Sequence, residues 1–426
     1  MQAQADTVVM LLAGGVGSRL NVLGQSRAKP AIPFAGMYRI IDFTLSNVMN
    51  SGLTNVGVLT QYKPFSLMAH IGTGASWDFI GRNRVARILP PHTRERDNEW
   101  YRGTADAVLQ NWNYVEGFGS QTTLILSGDH IYSMDYSRMI DYHVKNKADL
   151  TLAVMPIDPK ECRHFGMVHV HKNGEIERFE EKPAQTETKM ASMGVYVFST
   201  NVLGEELRAM KEAGGVDFGK HVIPGMLGRK KLFAYRFSGY WRDVGTIKAY
   251  WDAHMDLFSA KDVDLESWRV FTNPDDRFYQ DRPPAKVVGS AKLDNAIVCR
   301  GATVQGSVSR SVLGPGVIVE KGAVIRRSVI LHDTVIGAGA VVDYSVVDKD
   351  VVVGPGARIG QGSETPANLH FPDHLDAESG VTLIGKGAHI PGNITIGRNC
   401  IVKPGARKSD FDGAEVVSGA TVERKK

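Results

Sequence analysis

"IGKGAHIPGNITIGRNCIV", residues 384–402, carries an aliphatic side chain at every sixth position: Ile384, Ile390, Ile396 and Val402. A period of six fits neither the 3.6-residue turn of an α-helix nor the two-residue alternation of a strand. The same spacing runs upstream through Leu313, Val319 and Ile325, then Ile336 and Val342, then Val353 and Ile359, with glycine often following, as in "IGAGAV" and "VGPGAR". This pattern predicts a hexapeptide-repeat, left-handed parallel β-helix over residues 286–426, its aliphatic side chains stacked in an internal ladder. Residues 361–380, "QGSETPANLHFPDHLDAESG", break the period and read as a loop leaving one coil.

Residues 1–257 have a different rhythm. "TVVMLLA", "NVGVLTQ", "TTLILSGD" and "DLTLAVMPI" are short β-branched runs ending in Gly, Asp or Pro, and helical stretches alternate with them. The alternation predicts a Rossmann-like α/β domain, its sheet mostly parallel with crossover helices. "GTADAVLQNWNYVEG" reads as one helix with Thr104 as its N-cap and Ala105, Val108, Leu109 and Trp112 on one face. Between the halves, residues 258–285 are rich in Asp and Pro and read as a linker.

Composition narrows the class. With 426 residues, 43% hydrophobic and 23% charged, the chain suits a soluble globular protein of two or more domains. The start has no basic region, and the first apolar run ends after a few residues, so a signal peptide or membrane span is not expected. Cys162, Cys299 and Cys400 are scattered without metal-like spacing, which predicts reduced thiols and a cytoplasmic setting. A net charge of +4 without a long basic run argues for phosphate-binding pockets and against a nucleic-acid partner.

In open α/β sheets ligands sit beyond the carboxyl ends of the strands, so the residues after each apolar run are the candidates. Gly14, Gly15 and Gly17 follow the first run and let a ligand approach the backbone, while Arg19, Arg27 and Lys29 favour an anion. Asp129 in "LSGDH" follows another strand and reads as a metal-holding carboxylate or a turn cap. Lys182 in "FEEKPA" precedes Pro183, which predicts extended backbone aiming the ammonium into a cleft or out to solvent. Asp243 in "YWRDVGT" reads as a second carboxylate or as the partner of Arg242. Trp100 and Tyr101 in "NEWYRGTADA" stand before a helix N-terminus suited to phosphate, or belong to the core. Together these residues describe a site for two phosphorylated substrates and a metal ion. No Ser-His-Asp or Cys-His set is evident, and none is needed if an ionised substrate phosphate is the nucleophile.

The order LAGGVGSRL, RAKPA, IIDF, TQY, WYRGTADAV, GDHIY, FGMVHV, FEEKPA, ASMGVYVF, DFGKHVIP and YWRDVGT resembles the glucose-1-phosphate adenylyltransferase family of bacterial glycogen synthesis. The resemblance implies a GT-A-like mixed-sheet nucleotidyltransferase domain ahead of the β-helix. It also implies formation of ADP-glucose and pyrophosphate from ATP and α-D-glucose 1-phosphate with Mg²⁺. By that resemblance Leu12, Ala13, Gly14, Gly15, Gly17, Arg19, Lys29, Gln61, Trp100, Tyr101, Gly103, Thr104 and Gly128 contact ATP. Tyr101, Gly166, Glu181, Lys182, Ser192, Gly194 and Asp217 face the glucose 1-phosphate, and Asp129 and Asp243 hold the metal. Arg19, Lys29, Asp129, Lys182 and Asp243 are then the catalytic set. A homotetramer is also implied, with a phosphorylated or carboxylate metabolite bound at Arg27 and Arg39.

Two alternatives remain at this level: a related enzyme using another nucleotide, and a non-catalytic regulatory subunit, against which the complete set of cations and carboxylates argues. Enteric members that respond to fructose 1,6-bisphosphate carry a lysine where this chain has Ser26, and arginines where residues 366–374 offer only His370 and His374.

Overall fold

The computed structural model describes residues 6–91, 93–94, 97–98, 100–259, 263–273 and 282–425. Residues 260–262 and 274–281 of the expected linker, and residues 1–5 of the N-terminal segment, lie outside the described residues.

The first apolar run forms the buried strand Thr7–Leu12, parallel to Asn55–Leu59 on one side and Thr122–Ser127 on the other. Val85–Leu89 extends this parallel half beyond Asn55–Leu59. The other half of the sheet mixes the two directions. Met190–Ser199 runs antiparallel to Thr122–Ser127, and the hairpin Gly166–Val170 with Ile176–Glu181 continues from it. Leu150–Pro156 pairs antiparallel with Met190–Ser199 and parallel with Leu232–Arg236, so the sheet is mixed, and the expectation of a mostly parallel one holds for the four strands around Thr7–Leu12 and for this last pair. Hairpin connections explain the change, because they return the chain antiparallel where crossover helices return it parallel. Side chains alternate across the sheet: Val8 and Met10 face one core, Val9 and Leu11 the other.

The stretch expected as one helix forms two, Thr104–Gln110 and Trp112–Phe118, broken at Asn111. Gly103, not Thr104, stands at the N-cap, because the Thr104 hydroxyl is engaged elsewhere, donating to Asp217 at 2.9 Å.

The C-terminal half is a left-handed parallel β-helix of three sheets with six, seven and seven strands. Val335 lies opposite Val352 and Val341 opposite Arg358, so one coil takes 17 residues, about three hexapeptides. Beyond the loop at 361–380, Val352 lies opposite His389, a step of 37. The periodic aliphatics Leu313, Val319, Ile325, Ile336, Val342, Val353, Ile359, Ile384, Ile390, Ile396 and Val402 all belong to one internal core.

One sheet of the β-helix is apolar on both faces. Leu313, Ile330, Val347, Ile384 and Val402 point inward, while their strand neighbours Val312, Val329, Val346, Leu383 and Ile401 point outward. That outer row packs against Leu20, Val22 and Leu23 after the glycine loop and against Phe34 and Tyr250. Leaving any one of these aliphatics exposed would cost about 2 kcal/mol. Trp251, on the helix Ile247–Asp256, donates its indole N–H to the Arg327 carbonyl at 2.8 Å and lies 4.1 Å from the Tyr344 ring. The two halves therefore share a core.

His254 on the same helix is fully buried; its Nε2 accepts from the Ala35 N–H at 3.1 Å and its Nδ1 faces the Tyr250 carbonyl at 2.8 Å. Burial pulls its pKa down to about 4, and burial does the same to His143 between Thr151 and Ser199. A histidine held neutral contributes stability that is complete above its unfolded pKa of about 6.5 and is lost as pH falls toward the folded value. Stability is accordingly expected to drop between pH 6.5 and pH 4, by roughly 3 kcal/mol for each histidine. Urea unfolding midpoints measured across that window check this; an unchanged midpoint at pH 4.5 would contradict it.

Candidate active site

Asp129 follows the end of the central strand Thr122–Ser127, and the Ser127 hydroxyl donates to its carboxylate. The second carboxylate arrives on a two-stranded ribbon in which Trp241–Asp243 runs antiparallel to His130–Tyr132, with Asp243 opposite His130. Ligand atoms of Asp129, His130 and Asp243 lie within 4.8 Å of one another. Lys29 sits in a 3₁₀ turn opened by Pro30, and its N–H donates to the Gly15 carbonyl at 3.1 Å, tying it to the glycine loop. Its Nζ donates to Asp129 Oδ2 and to Asp243 Oδ1, each at 2.8 Å. Arg19 approaches Asp243 to 4.0 Å.

Electrostatics follow from this grouping. Burial works against the charge of Lys29, but Asp129 and Asp243 outweigh it and raise the ammonium pKa above its ordinary value. Burial likewise opposes ionisation of both carboxylates, and Lys29 followed by His130 more than offsets it, so both stay ionised below the usual range. The local ion pair between Arg242 and Asp243 does not form. Arg242 bonds Asp256 at 2.7 Å instead, because alternate residues of a strand face opposite ways and the helix Ile247–Asp256 presents Asp256 on the Arg242 side.

Above these groups opens a cleft of about 330 Å³. Of the residues expected near ATP, Leu12, Gly14, Gly15, Gln61, Tyr101, Gly103 and Thr104 line it, and so does Asp217. Gly17, Arg19 and Lys29 lie beside it on the loop, and Gly128 is fixed by its N–H to the Leu12 carbonyl at 3.0 Å. Ala13 is buried behind the loop, whereas Trp100 is 60% exposed and outside the core. Gln61 and Tyr101 exchange hydrogen bonds, the Tyr101 N–H donating to Gln61 Oε1 at 2.6 Å and Gln61 Nε2 to the Tyr101 carbonyl at 3.3 Å. Asn111, at the helix break, donates to the Tyr101 hydroxyl at 2.9 Å. Sequence reasoning missed Asn111 and Ser127; only the position of Ser127 before the "GD" pair pointed to it. A Cβ at Gly103 would lie 2.3 Å from the Val216 carbonyl, so this turn admits only glycine.

The residues expected near the glucose 1-phosphate adjoin this cleft through Asp217, whose Oδ2 accepts from Thr104 and whose Oδ1 accepts from the Gly219 and Lys220 N–H groups. Glu181 packs so tightly on Gly219 and Gly166 that Cβ atoms there would lie 2.3 and 3.1 Å from its Oε2. Burial raises the Glu181 pKa despite Lys182. Ser192 is 3.4 Å from the Tyr196 hydroxyl, and Gly194, at φ 70°, passes Ser127 and His130. Lys182 is 57% exposed, with Nζ 3.6 Å from Glu181. Its φ is +49°, not the extended value expected before proline, because its N–H remains bonded to the Phe165 carbonyl at the end of the hairpin ladder.

Arg27 and Arg39 stand apart from the cleft, at the seam between the halves. Arg27 is 6% exposed and bonds both oxygens of the fully buried Asp348 of the β-helix at 2.9 Å. Arg39 donates to the Ser66 carbonyl and hydroxyl at 2.8 Å. Burial, then the charges of Lys349, Arg39, Arg27 and Arg282, push the His332 pKa well below its ordinary value, which marks a cationic seam.

The family profile described as Nucleotidyl transferase matches residues 8–260, and one described as GlmU-like, C-terminal hexapeptide matches residues 283–384. A glucose-1-phosphate adenylyltransferase of Lachnospira eligens is 46% identical over 421 residues, 98% of each chain. Enzymes of the same name from Ruminiclostridium cellulolyticum and Thermotoga maritima are 47% and 46% identical over 424 residues, covering 98% and 97% of this chain and 97% and 98% of theirs. With a mixed-sheet domain, a β-helix and two carboxylates converging under a glycine loop, the chain belongs to the glucose-1-phosphate adenylyltransferase family of nucleotidyl transferases.

Proposed function

We propose that this chain transfers the adenylyl group of ATP to α-D-glucose 1-phosphate with Mg²⁺, releasing pyrophosphate and supplying ADP-glucose for α-glucan synthesis. The observation that carries this reading is the pair Asp129 and Asp243, brought from two separate segments to share one cation at the floor of the cleft. Two such oxygen donors suit Mg²⁺, and that fit is supported by the Lys29 ammonium already standing between them. When bound, the ion would neutralise charge on the phosphates.

The chain's own residues bind and orient. A sugar-phosphate oxygen is ionised at pH 7, so it attacks the α-phosphorus without a general base; the new P–O bond forms as the bond to the β-phosphate breaks. The glycine loop with Arg19 and Lys29 faces the triphosphate and neutralises the departing pyrophosphate. Tyr101, Asp217, Glu181 and Ser192 orient the glucose, and Lys182 holds its phosphate. ADP-glucose formation by the purified chain, with UTP, GTP and dTTP as competitors, tests the reaction and the nucleotide together.

Lys182→Ala is expected to raise the KM for glucose 1-phosphate by one to two decades, since a charge-assisted contact is worth roughly 1.5–3 kcal/mol, and to leave the KM for ATP nearly unchanged. Equal losses for both substrates would remove the assignment.

By the same resemblance we read the assembly as a homotetramer and the cationic seam as the regulatory site, where Arg27, Arg39 and Lys349 all lie near His332. Because Arg27 is already paired with Asp348, and Ser26, His370 and His374 replace expected cations, a bisphosphate has few charged partners there. Weak or no activation by fructose 1,6-bisphosphate is expected, with a monophosphate or carboxylate metabolite activating instead. Initial rates at subsaturating ATP decide it, and strong activation at micromolar bisphosphate would contradict it.

A further inference from the structure

The metal-type carboxylates of this cleft already hold a cation that belongs to the chain. Lys29 Nζ lies 2.8 Å from Asp129 Oδ2 and 2.8 Å from Asp243 Oδ1, on a side chain only 6% exposed. A divalent ion on the same two residues would stand about 2.1 Å from its oxygens. Sharing those oxygens, the ion and the ammonium would be within about 5 Å of each other in a partly desolvated site, where like charges repel strongly. The charges also balance without a metal: Asp129 and Asp243 are matched by Lys29 and by Arg19, 4.0 Å from Asp243. A metal entering alone would leave the group strongly positive. A nucleotide triphosphate reverses that sign, giving the ammonium another anion to bind and the metal a reason to enter.

We propose that Lys29 is a built-in counter-ion that closes the metal site until nucleotide arrives, so that divalent cation and triphosphate enter together. This rests on the assignment of Asp129 and Asp243 as metal ligands. The backbone around Lys29 is fixed on both sides, its carbonyl accepting from the Ile32 N–H at 3.1 Å. Its N–H is bonded to the Gly15 carbonyl, and Arg27, two residues earlier, is clamped to Asp348. The exchange is therefore a swing of the lysine side chain and not a movement of the loop. Gly17, whose Cβ would lie 3.2 Å from the Lys29 Cβ, keeps the stem close to the loop that faces the triphosphate.

Mn²⁺ binding followed by electron paramagnetic resonance tests this without turnover. In the absence of nucleotide, Lys29→Met is expected to bind Mn²⁺ at least tenfold more tightly than the wild type, and Lys29→Met with Asp243→Asn to lose that gain. A non-hydrolysable α,β-methylene ATP analogue is expected to raise the wild-type affinity for Mn²⁺ by a similar factor. Lys29→Gln, with circular dichroism as a check of folding, serves as a second uncharged variant. Equal Mn²⁺ affinity for the wild type and both lysine variants, still sensitive to Asp243→Asn, would overturn the counter-ion while leaving the metal site in place. Mn²⁺ binding that ignores Asp243→Asn with and without the analogue would overturn both.

Discussion

Asp243→Asn is expected to lower kcat by about three decades, several kcal/mol of lost charge stabilisation at 1.36 kcal/mol per decade, with the fold intact. Asp129→Asn is expected to do the same. The amide keeps the shape of the carboxylate and removes its charge, so the ribbon that pairs Asp243 with His130 has no reason to open. Each variant leaves Lys29 paired with the one remaining aspartate. Pyrophosphate release at saturating substrates and millimolar Mg²⁺ measures the loss, with far-ultraviolet circular dichroism as the control. Near-normal turnover of Asp243→Asn at low Mg²⁺ would remove Asp243 from the metal site. Arg242 offers no alternative role for it, being committed to Asp256.

The second large effect is on stability. Asp348→Ala leaves the Arg27 guanidinium buried without its carboxylate, and breaking a buried ion pair in this way costs about 3–5 kcal/mol. Guanidinium chloride unfolding followed by tryptophan fluorescence reads the change. Replacing both partners by apolar residues, as in Arg27→Met with Asp348→Leu, is expected to recover most of the loss, because neither charge is then left desolvated. A single substitution costing under 1 kcal/mol would mean that water reaches Arg27.

The fold was legible in the sequence where one residue type repeats at a fixed interval. The six-residue spacing of Leu313, Val319 and Ile325 is a direct record of the coil, since each must fill the same internal position. The paired aliphatics of the docking sheet, such as Val329 with Ile330 and Leu383 with Ile384, are equally plain, but an outward apolar row has meaning only once something covers it. At the site, Asp129 stood out because it follows an apolar run, and Asp243 because it is a carboxylate set between an arginine and a glycine turn. Partnership was harder to read. Arg27 and Asp348 are 321 positions apart, and nothing local in either segment names the other. Thr104 shows the opposite failure: its propensity to cap a helix is real, yet Asp217 from a distant segment takes its hydroxyl. At Lys182 a local rule about proline yielded to a hydrogen bond with Phe165.

The outward row of the β-helix has a consequence for how the chain is made. Leu20, Val22 and Leu23 leave the ribosome long before the side chains that cover them, Val312 through Ile401. At 5–20 residues per second the nascent chain carries that uncovered segment for roughly 20–70 s. During that interval the apolar residues that follow the glycine loop stay uncovered, which is the kind of exposed surface that makes a partly folded chain prone to stick until the covering coils arrive.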